Sequence, residues 1–124
     1  MDFFHLDRSS IKNLPGRKMW MLMNLEEHDV QEMSACYIEV EPQKGALPFH
    51  AHKSEKEFIY ILDGKGHIEY DGNRTEVGAG TGIFVDYNES HALFNDDDSS
   101  PLRALCVFVP PSTPEDYIDE KEIM

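Results

Sequence analysis

Residues 45–64 read GALPFHAHKSEKEFIYILDG, and the fold and the candidate site both depend on this stretch. His50 and His52 are separated by one residue, and side chains along a β-strand alternate between its two faces. Both imidazoles therefore project from one face of a strand. The chain then passes through a polar turn at 53–56 and enters the apolar run 58–62, which is followed by Asp-Gly. The stretch predicts two strands joined by a short turn, with paired histidines at the end of the first.

Other groups that bind metals can reach these histidines. Glu57 opens the apolar strand, so the turn can bring its carboxylate back beside the imidazoles. Glu55 is a competing carboxylate, but it falls within the turn and is less constrained. His91 begins another predicted strand and could supply a third nitrogen. Two histidines spaced in this way on one strand face can bind a single metal ion.

Short strands continue on both sides of this segment. The other predicted strands cover residues 18–23, 35–40, 67–70, 75–77, 83–85, 91–94 and 102–109. Asp71-Gly72 separates two of them, and this dipeptide is a strong signal for a β-hairpin. No long helical period or internal repeat occurs. Seven to nine short strands with Gly, Asp and Asn turns predict an all-β antiparallel sandwich or barrel.

The spacing of these residues resembles the two sequence motifs of the cupin superfamily. The first motif reads Gly-x5-His-x-His-x3-4-Glu-x6-Gly in the family, and here it spans residues 45–64 with one residue fewer between Gly45 and His50. The second reads Gly-x5-Pro-x-Gly-x2-His-x3-Asn and corresponds to residues 80–95. Asp86 and Asn88 replace its proline and its second glycine; both are turn residues, and Asn tolerates a positive φ.

The resemblance implies a double-stranded β-helix, the jelly-roll barrel of the cupins, with short terminal extensions. We expect an N-terminal arm over residues 1–17, the barrel domain over 18–110 and an acidic tail over 111–124. A proline-rich stop signal at 110–114 marks the boundary between the barrel and the tail. We interpret the rest of it as a short helix or a frayed, solvated segment.

Carried over residue by residue, the resemblance makes His50, His52, Glu57 and His91 the ligands of one divalent transition metal. A set of three imidazoles and one carboxylate suits Mn, Fe, Ni, Co, Cu or Zn rather than Mg or Ca. On an octahedral ion, four protein ligands leave two positions for other molecules. A charge of +2 from the ion and −1 from Glu57 leaves +1, which favours an anionic or chelating ligand.

Two classes of function are compatible with such a site. One is an enzyme that acts on a small oxygen-bearing molecule, with dioxygenase chemistry preferred over decarboxylase, isomerase or lyase chemistry. The alternative is a non-catalytic module that binds a small ligand, such as a carboxylate or a sugar, through the metal. A purely structural cupin is a third and weaker possibility. Fold and metal alone do not determine the reaction.

Several other polar residues have a structural interpretation. His5, His28 and His67 are expected to be structural or exposed rather than metal ligands. Asn95 shares a strand face with His91 and is expected to make a structural hydrogen bond or to support the site from outside the ligand set. Four further residues are candidate pocket groups whose strand phase the sequence leaves open: Glu39, Tyr60, Tyr87 and Arg103.

Composition limits the partners. The 124 residues include 11 Lys and Arg against 24 Asp and Glu, a net charge of −13. Such a chain lacks the clustered basic surface that nucleic acids require, and it is disfavoured at an anionic membrane. The N-terminus has neither the basic start nor the apolar run of a signal peptide, which predicts a cytoplasmic protein. Cys36 and Cys106 are then expected to be reduced and buried.

The apolar run 58–62 also predicts an assembly. If Glu57, Ile59 and Ile61 point inward, then Phe58, Tyr60 and Leu62 point outward and are apolar as well. A strand that is apolar on both faces needs a second cover. The N-terminal segment or another subunit could provide it. We favour the second, which makes the protein a homodimer.

Overall fold

A computed structural model describes residues 1–112 and the backbone of residues 117–119. Helical structure in this part is limited to a 3₁₀ turn at Leu6–Arg8 and the short helix α1 at Leu25–His28. The strands are β1 (Ser10–Leu14), β2 (Arg17–Met23), β3 (Ser34–Val40), β4 (Ala46–His52), β5 (Lys56–Asp63), β6 (Lys65–Tyr70), β7 (Asn73–Gly78), β8 (Gly82–Val85), β9 (His91–Asn95), β10 (Leu102–Val109) and β11 (Tyr117–Asp119).

The strands form two antiparallel sheets. One has the order β1-β2-β3-β10-β5-β8, and the other has the order β11-β4-β9-β6-β7. The core lies between them and contains the fully buried Ile38, Ile59, Ile61, Leu93 and Leu102. Because most of the inward-facing residues of both sheets are apolar, burying them together stabilises the sandwich. The all-β jelly-roll prediction is confirmed.

Two turns show how local sequence fixes this topology. Asp71 and Gly72 have φ values of 49° and 74°, so both central residues of the β6–β7 hairpin adopt the left-handed conformation that a type I′ turn requires. Gly45 leads into β4, and a Cβ at this position would lie 2.1 Å from the carbonyl oxygen of Glu41. Any larger residue would push the start of β4 away from the preceding turn.

The alternation predicted for β5 is confirmed. Glu57, Ile59 and Ile61 are at most 2% exposed, whereas Phe58, Tyr60 and Leu62 are 38–47% exposed on the outer face of the sheet. Within the described part of the chain, the N-terminal segment does not cover these outward side chains. It pairs instead at the opposite edge of the sheet, through β1 and β2.

The ends of the chain differ from the sequence expectation. Residues 10–14, within the predicted arm, form β1 and pair with β2. Residues 117–119, within the predicted tail, form β11 and pair with β4, so a helix or a frayed segment is wrong for these three residues. The edge of β4 offers free backbone hydrogen-bonding groups, which a short polar segment can satisfy. The rest of the tail beyond residue 112 lies outside the described residues. The described helices are all too short to span a membrane.

Candidate metal centre

The candidate centre is built where β4 meets β9. His50 of β4 lies directly opposite His91 of β9, and a β-bulge interrupts the pairing between Leu47 and His50. A bulge inserts an extra residue and re-aims the side chains that follow it. As a result His50 and His52 both point into the barrel, where they are 2% and 4% exposed.

The loop before β9 also helps to place His91. Asn88 adopts φ 63°, which is the left-handed conformation expected at a position where the cupin motif has glycine. Its N–H donates to the carbonyl oxygen of His52 over 2.8 Å. This bond ties the loop to the end of β4, and the chain enters β9 three residues later. The departure from the family pattern at Asn88 therefore leaves the position of His91 intact.

The four predicted ligand residues come together in the barrel. One ligand atom from each of His50, His52, Glu57 and His91 lies within 4.8 Å of the others, and all four residues are buried. Glu57 Oε1 lies 3.4 Å from His91 Nε2 and 3.6 Å from His52 Nε2. Ligand atoms placed about 2.1 Å from a transition metal lie about 3 to 4.2 Å apart, so this set is close to the spacing of a metal site.

In each of the three histidines, Nδ1 lies beside an oxygen that can accept its proton in a hydrogen bond. Nδ1 of His50 lies 2.7 Å from the carbonyl oxygen of Pro48, and Nδ1 of His91 lies 2.9 Å from that of Glu89. Nδ1 of His52 lies 2.9 Å from Glu55 Oε1. A carbonyl or carboxylate partner favours a proton on Nδ1, which leaves Nε2 of each ring as the nitrogen that can bind a metal once any proton on it is displaced.

Glu55 is the residue that sequence reasoning undervalued. The turn position suggested a loosely held carboxylate, but its side chain is fully buried against His52. With Glu55 ionised, two carboxylates rather than one would balance a divalent ion, and the local charge of +1 inferred from the sequence falls to zero. The signal that could have found it is its position three residues after His52, which lets the turn fold back on the imidazole.

Burial and mutual contact set the protonation of the group. Burial, reinforced by the neighbouring His91, lowers the pKa of His50 to about 3, so this ring is neutral at physiological pH. Burial opposes ionisation of Glu57, but its contacts with His91 and the other imidazoles outweigh that and lower its pKa. Burial likewise disfavours the charged form of His91, yet the contact with Glu57 raises its pKa. In the metal-free centre, the contact between Glu57 and His91 therefore favours the charged forms that make an ion pair.

The chemistry of this set fits a transition metal. Glu57 Oε1 and His91 Nε2 are buried, and neither has a well-aligned hydrogen bond. Buried polar atoms without such partners are rare and costly, and an ion between them would satisfy both. The nitrogen-rich donor set matches transition metals rather than Mg or Ca.

Glu57 is also contacted from β10, the neighbouring strand of its own sheet. The Cys106 thiol is hydrogen-bonded to Cys36, its direct partner across β3 and β10, and it also contacts the Glu57 carboxylate. The contact with Cys36, burial and the charge of Glu57 all raise the pKa of Cys106, so the group stays an S–H donor. Both cysteines are free and buried, as the sequence predicts.

A cavity of about 350 Å³ opens between β7 and β8, the edge strands of the two sheets, and reaches His91. Its wall includes Ile68, Tyr70, Thr75, Val77, Ile83 and Glu89. Sequence reasoning did not identify these residues, because it could not show which edges of the two sheets face each other.

The remaining predicted residues lie elsewhere. His5, His28 and His67 stay outside the cluster; His67 is stacked on Phe94 and held 2.8 Å from Asp96. Asn95 is buried and makes structural hydrogen bonds to the carbonyl oxygens of Val40 and Ser100. Glu39, Tyr60, Tyr87 and Arg103, the candidate pocket residues, do not line the cavity beside His91.

Comparison with known proteins agrees with this architecture. The curated relatives include an L-ectoine synthase of Bordetella parapertussis, 34% identical over 77 residues, which are 60% of this chain and 57% of the relative. They also include an oxalate-binding protein of Thermotoga maritima, 32% identical over 68 residues, 55% of each chain. This chain thus spans little more than half the length of these relatives.

Solved structures share the fold at lower identity. Streptomyces Pac13, described as a nucleoside dehydratase, superposes with a TM-score of 0.78 at 16% identity, over 98% of this chain and 97% of that one. Likeness at this identity shows the fold alone. The cupin domain family model matches residues 36–108, which include both motifs and all four clustered residues. The chain therefore belongs to the cupin domain family.

Proposed function

We propose that this cupin binds one divalent transition metal through His50, His52, Glu57 and His91 and acts there on a small oxygen-bearing molecule. The observation that carries the proposal is the convergence of four buried ligand atoms within 4.8 Å. The Nδ1 contacts described above support it, because they turn the Nε2 atoms toward the centre. Such a pattern is what metal-binding histidines use to fix their orientation.

The chain's own residues have distinct tasks in this proposal. A bound transition metal supplies a Lewis acid and, for Fe or Mn, a redox-active centre. Pro48, Glu55 and Glu89 orient the three rings, and the Glu57 carboxylate contributes the negative donor. The four donor residues are buried beside the apolar core, and the cavity between β7 and β8 reaches His91.

Oxygenase chemistry is the first reaction class to test. The three-histidine, one-carboxylate donor set supports it, because nitrogen-rich sites suit the metals that react with dioxygen. The test is oxygen uptake by Fe-loaded and Mn-loaded protein with a panel of diketones, thiols, phenols and organic acids. We expect uptake with at least one of them. If no compound causes oxygen uptake at full metal occupancy, oxygenase chemistry is ruled out.

Metal-dependent binding without turnover is the second candidate. The similarity to an oxalate-binding protein supports it. Calorimetry with metal-loaded protein should then show stoichiometric binding of a small carboxylate or sugar and no product after prolonged incubation. Product formation from the bound compound would exclude it. Metal analysis of protein from its native source identifies the working ion, because expression in a foreign host can load an abundant substitute.

We also propose that the protein is a homodimer in the cytoplasm. Phe58, Tyr60, Leu62, Phe84 and Val109 form an apolar outer patch, each 38–62% exposed. Strand register places Phe58 beside Phe84, so the patch is continuous across β5 and β8. At its border, Lys56 lies over the Phe84 ring and near Asp86, which gives an apolar centre with a charged rim. That pattern is typical of protein interfaces. The two buried thiols fit a reducing compartment.

A further inference from the structure

The cavity beside His91 carries an inference about the ligand. We propose that the molecule bound at this centre consists of an oxygen-bearing group that faces the metal and an apolar body, aromatic or aliphatic, that fills the cavity between β7 and β8. This inference rests on the proposed metal function and adds the class of ligand to it. Small dicarboxylates, which have no such body, are disfavoured.

The strand register explains why the cavity adjoins the centre. Tyr70 of β6 lies directly opposite His91 of β9, and residues paired in this way have their Cβ atoms about 4.5 to 5.5 Å apart. Tyr70 also lines the cavity and is 38% exposed, so the cavity connects a solvent-exposed tyrosine with the candidate ligand His91. A ligand in this cavity can contact both residues.

The two walls of the cavity are apolar. Ile68 of β6 and Val77 of β7 face inward from one sheet, and Ile83 and Val85 of β8 face inward from the other. Three of the four are at most 6% exposed, and Ile83 is packed against the same core. A ligand body placed between these walls buries its apolar surface against them, and this favours binding by about 25 cal/mol per Å² of apolar surface removed from water.

Polar groups lie toward the open end. The Tyr70 hydroxyl is 3.3 Å from Thr75 Oγ1, and both groups can exchange hydrogen bonds with a substituent at the far end of the ligand. The hydroxyl of Thr81 also lines the cavity, but it accepts a hydrogen bond from the backbone N–H of Gly78 and is held in that turn. The pattern suits a body with an apolar middle and a single polar substituent.

The charge of the cavity argues against a dianion. Glu89 is exposed at its edge and adds a carboxylate to the wall. A second carboxylate on the ligand would lie near this negative charge and be repelled by it. A ligand with one metal-binding group and a neutral body avoids this repulsion.

The test compares two probes that differ only in the body. Acetohydroxamate and benzohydroxamate carry the same chelating group, but one ends in a methyl group and the other in a phenyl ring. Both are titrated into Co(II)-loaded protein, and binding is followed by the visible absorption of the cobalt ion. We expect benzohydroxamate to bind about 10- to 100-fold more tightly, because its ring is buried between the apolar walls.

Variants assign the difference to the cavity. Ile83→Asn should reduce the ratio of the two dissociation constants to about threefold or less, since it places an amide in the apolar wall. Ile83→Ala is the milder version if Ile83→Asn fails to fold, and it should lower the ratio in the same direction. Ile11→Asn makes the matched change at a half-exposed position of β1 and should leave the ratio unchanged.

The outcomes separate the two proposals. If the protein binds no Co(II), the proposed metal function is wrong, and the proposed ligand class, which depends on it, is wrong as well. If cobalt binds and both hydroxamates perturb its spectrum with equal affinity, the metal function stands and the apolar-body inference alone is overturned. A preference for benzohydroxamate that survives both Ile83 variants would place the ring elsewhere and would also overturn it.

Discussion

Glu55 Oε1 lies 2.9 Å from Nδ1 of His52, and the Glu55 side chain is fully buried. The other two histidines of the centre donate from Nδ1 to backbone carbonyls, so His52 alone of the three has a carboxylate beside its Nδ1. A carboxylate makes the imidazole a stronger donor to a metal and fixes its orientation.

Glu55→Gln should therefore weaken metal binding. The amide keeps an acceptor for Nδ1–H but removes the negative charge, and we expect metal affinity to fall about 10- to 100-fold. Competition with a chromophoric chelator measures this. Glu26→Gln makes the same change on an exposed carboxylate of α1 and should bind metal as the unchanged protein does. Equal affinities for the two variants would show that Glu55 does not support His52.

Metal affinity should rise with pH. His50 is already neutral above its lowered pKa of about 3, whereas the contact with Glu57 raises the pKa of His91 and favours its protonated form in the metal-free centre. Binding must displace this proton, so affinity should increase about tenfold per pH unit below the raised pKa of His91 and level off above it. Calorimetry in buffers of different ionisation enthalpy should show one proton released. An affinity that is constant from pH 5.5 to 7.5 would contradict the ion pair.

The same pair gives a pH window for the metal-free protein. His91 has a folded pKa above its usual 6.5, so its contribution to stability is complete below 6.5 and is lost as pH rises through the raised value. Glu57 has a folded pKa below its usual 4.5, so its contribution is present above 4.5 and is lost as pH falls through the lowered value. The pair stabilises the metal-free fold most between pH 4.5 and 6.5. Thermal melts across this range, with and without metal, test it.

Cys106 should support the centre through its S–H group. The thiol contacts the Glu57 carboxylate, and its raised pKa keeps the proton available for donation. Cys106→Ser retains a donor and should keep metal affinity within about threefold, whereas Cys106→Val removes the donor and should lower affinity by about 1 kcal/mol or more. Cys36→Val changes the neighbouring thiol and is the control. Equal losses for Cys106→Val and Cys36→Val would indicate packing rather than hydrogen bonding.

Sequence reasoning reached the strands and the paired histidines through strong local patterns, and it reached the full set of four clustered residues through the resemblance to the two cupin motifs. Alternating burial in β5 and the two-residue spacing of His50 and His52 follow from the geometry of a strand. Glu55 was undervalued because the burial of a turn residue depends on how β4 and β5 close over it. β1 and the β11 segment carry weak patterns, and they become strands by pairing with exposed edges. The cavity joins β7 and β8 from different sheets, a relationship that no local pattern encodes.

The apolar outer patch should hold two copies together. Leu62 is 47% exposed on this patch, and a carboxylate there would be buried without a partner in a dimer. We expect Leu62→Asp to be monomeric by light scattering at concentrations where the unchanged protein is dimeric, with little change in its own melting temperature. Ile11→Asp introduces the same charge at a position 50% exposed on β1 and should stay dimeric. A monomeric unchanged protein at high concentration would contradict the proposed dimer.

Asn95 should affect folding rather than metal binding. Its Nδ2 donates to the carbonyl oxygens of Val40 and Ser100, and its Oδ1 accepts from the N–H of Asp97, so one side chain joins β3, β9 and the loop before β10. Asn95→Ala leaves buried backbone groups without partners and should cost about 2 to 4 kcal/mol of unfolding free energy in urea. Asn73→Ala removes a longer, exposed hydrogen bond and should cost less than about 1 kcal/mol.

Metal affinity should change little in the Asn95 variant. The hydrogen bonds of Asn95 go to Val40, Ser100 and Asp97 and not to the four clustered residues. Folded Asn95→Ala should therefore retain metal affinity within about threefold. A larger loss of affinity in protein that is still folded would instead give Asn95 a direct part in holding His91.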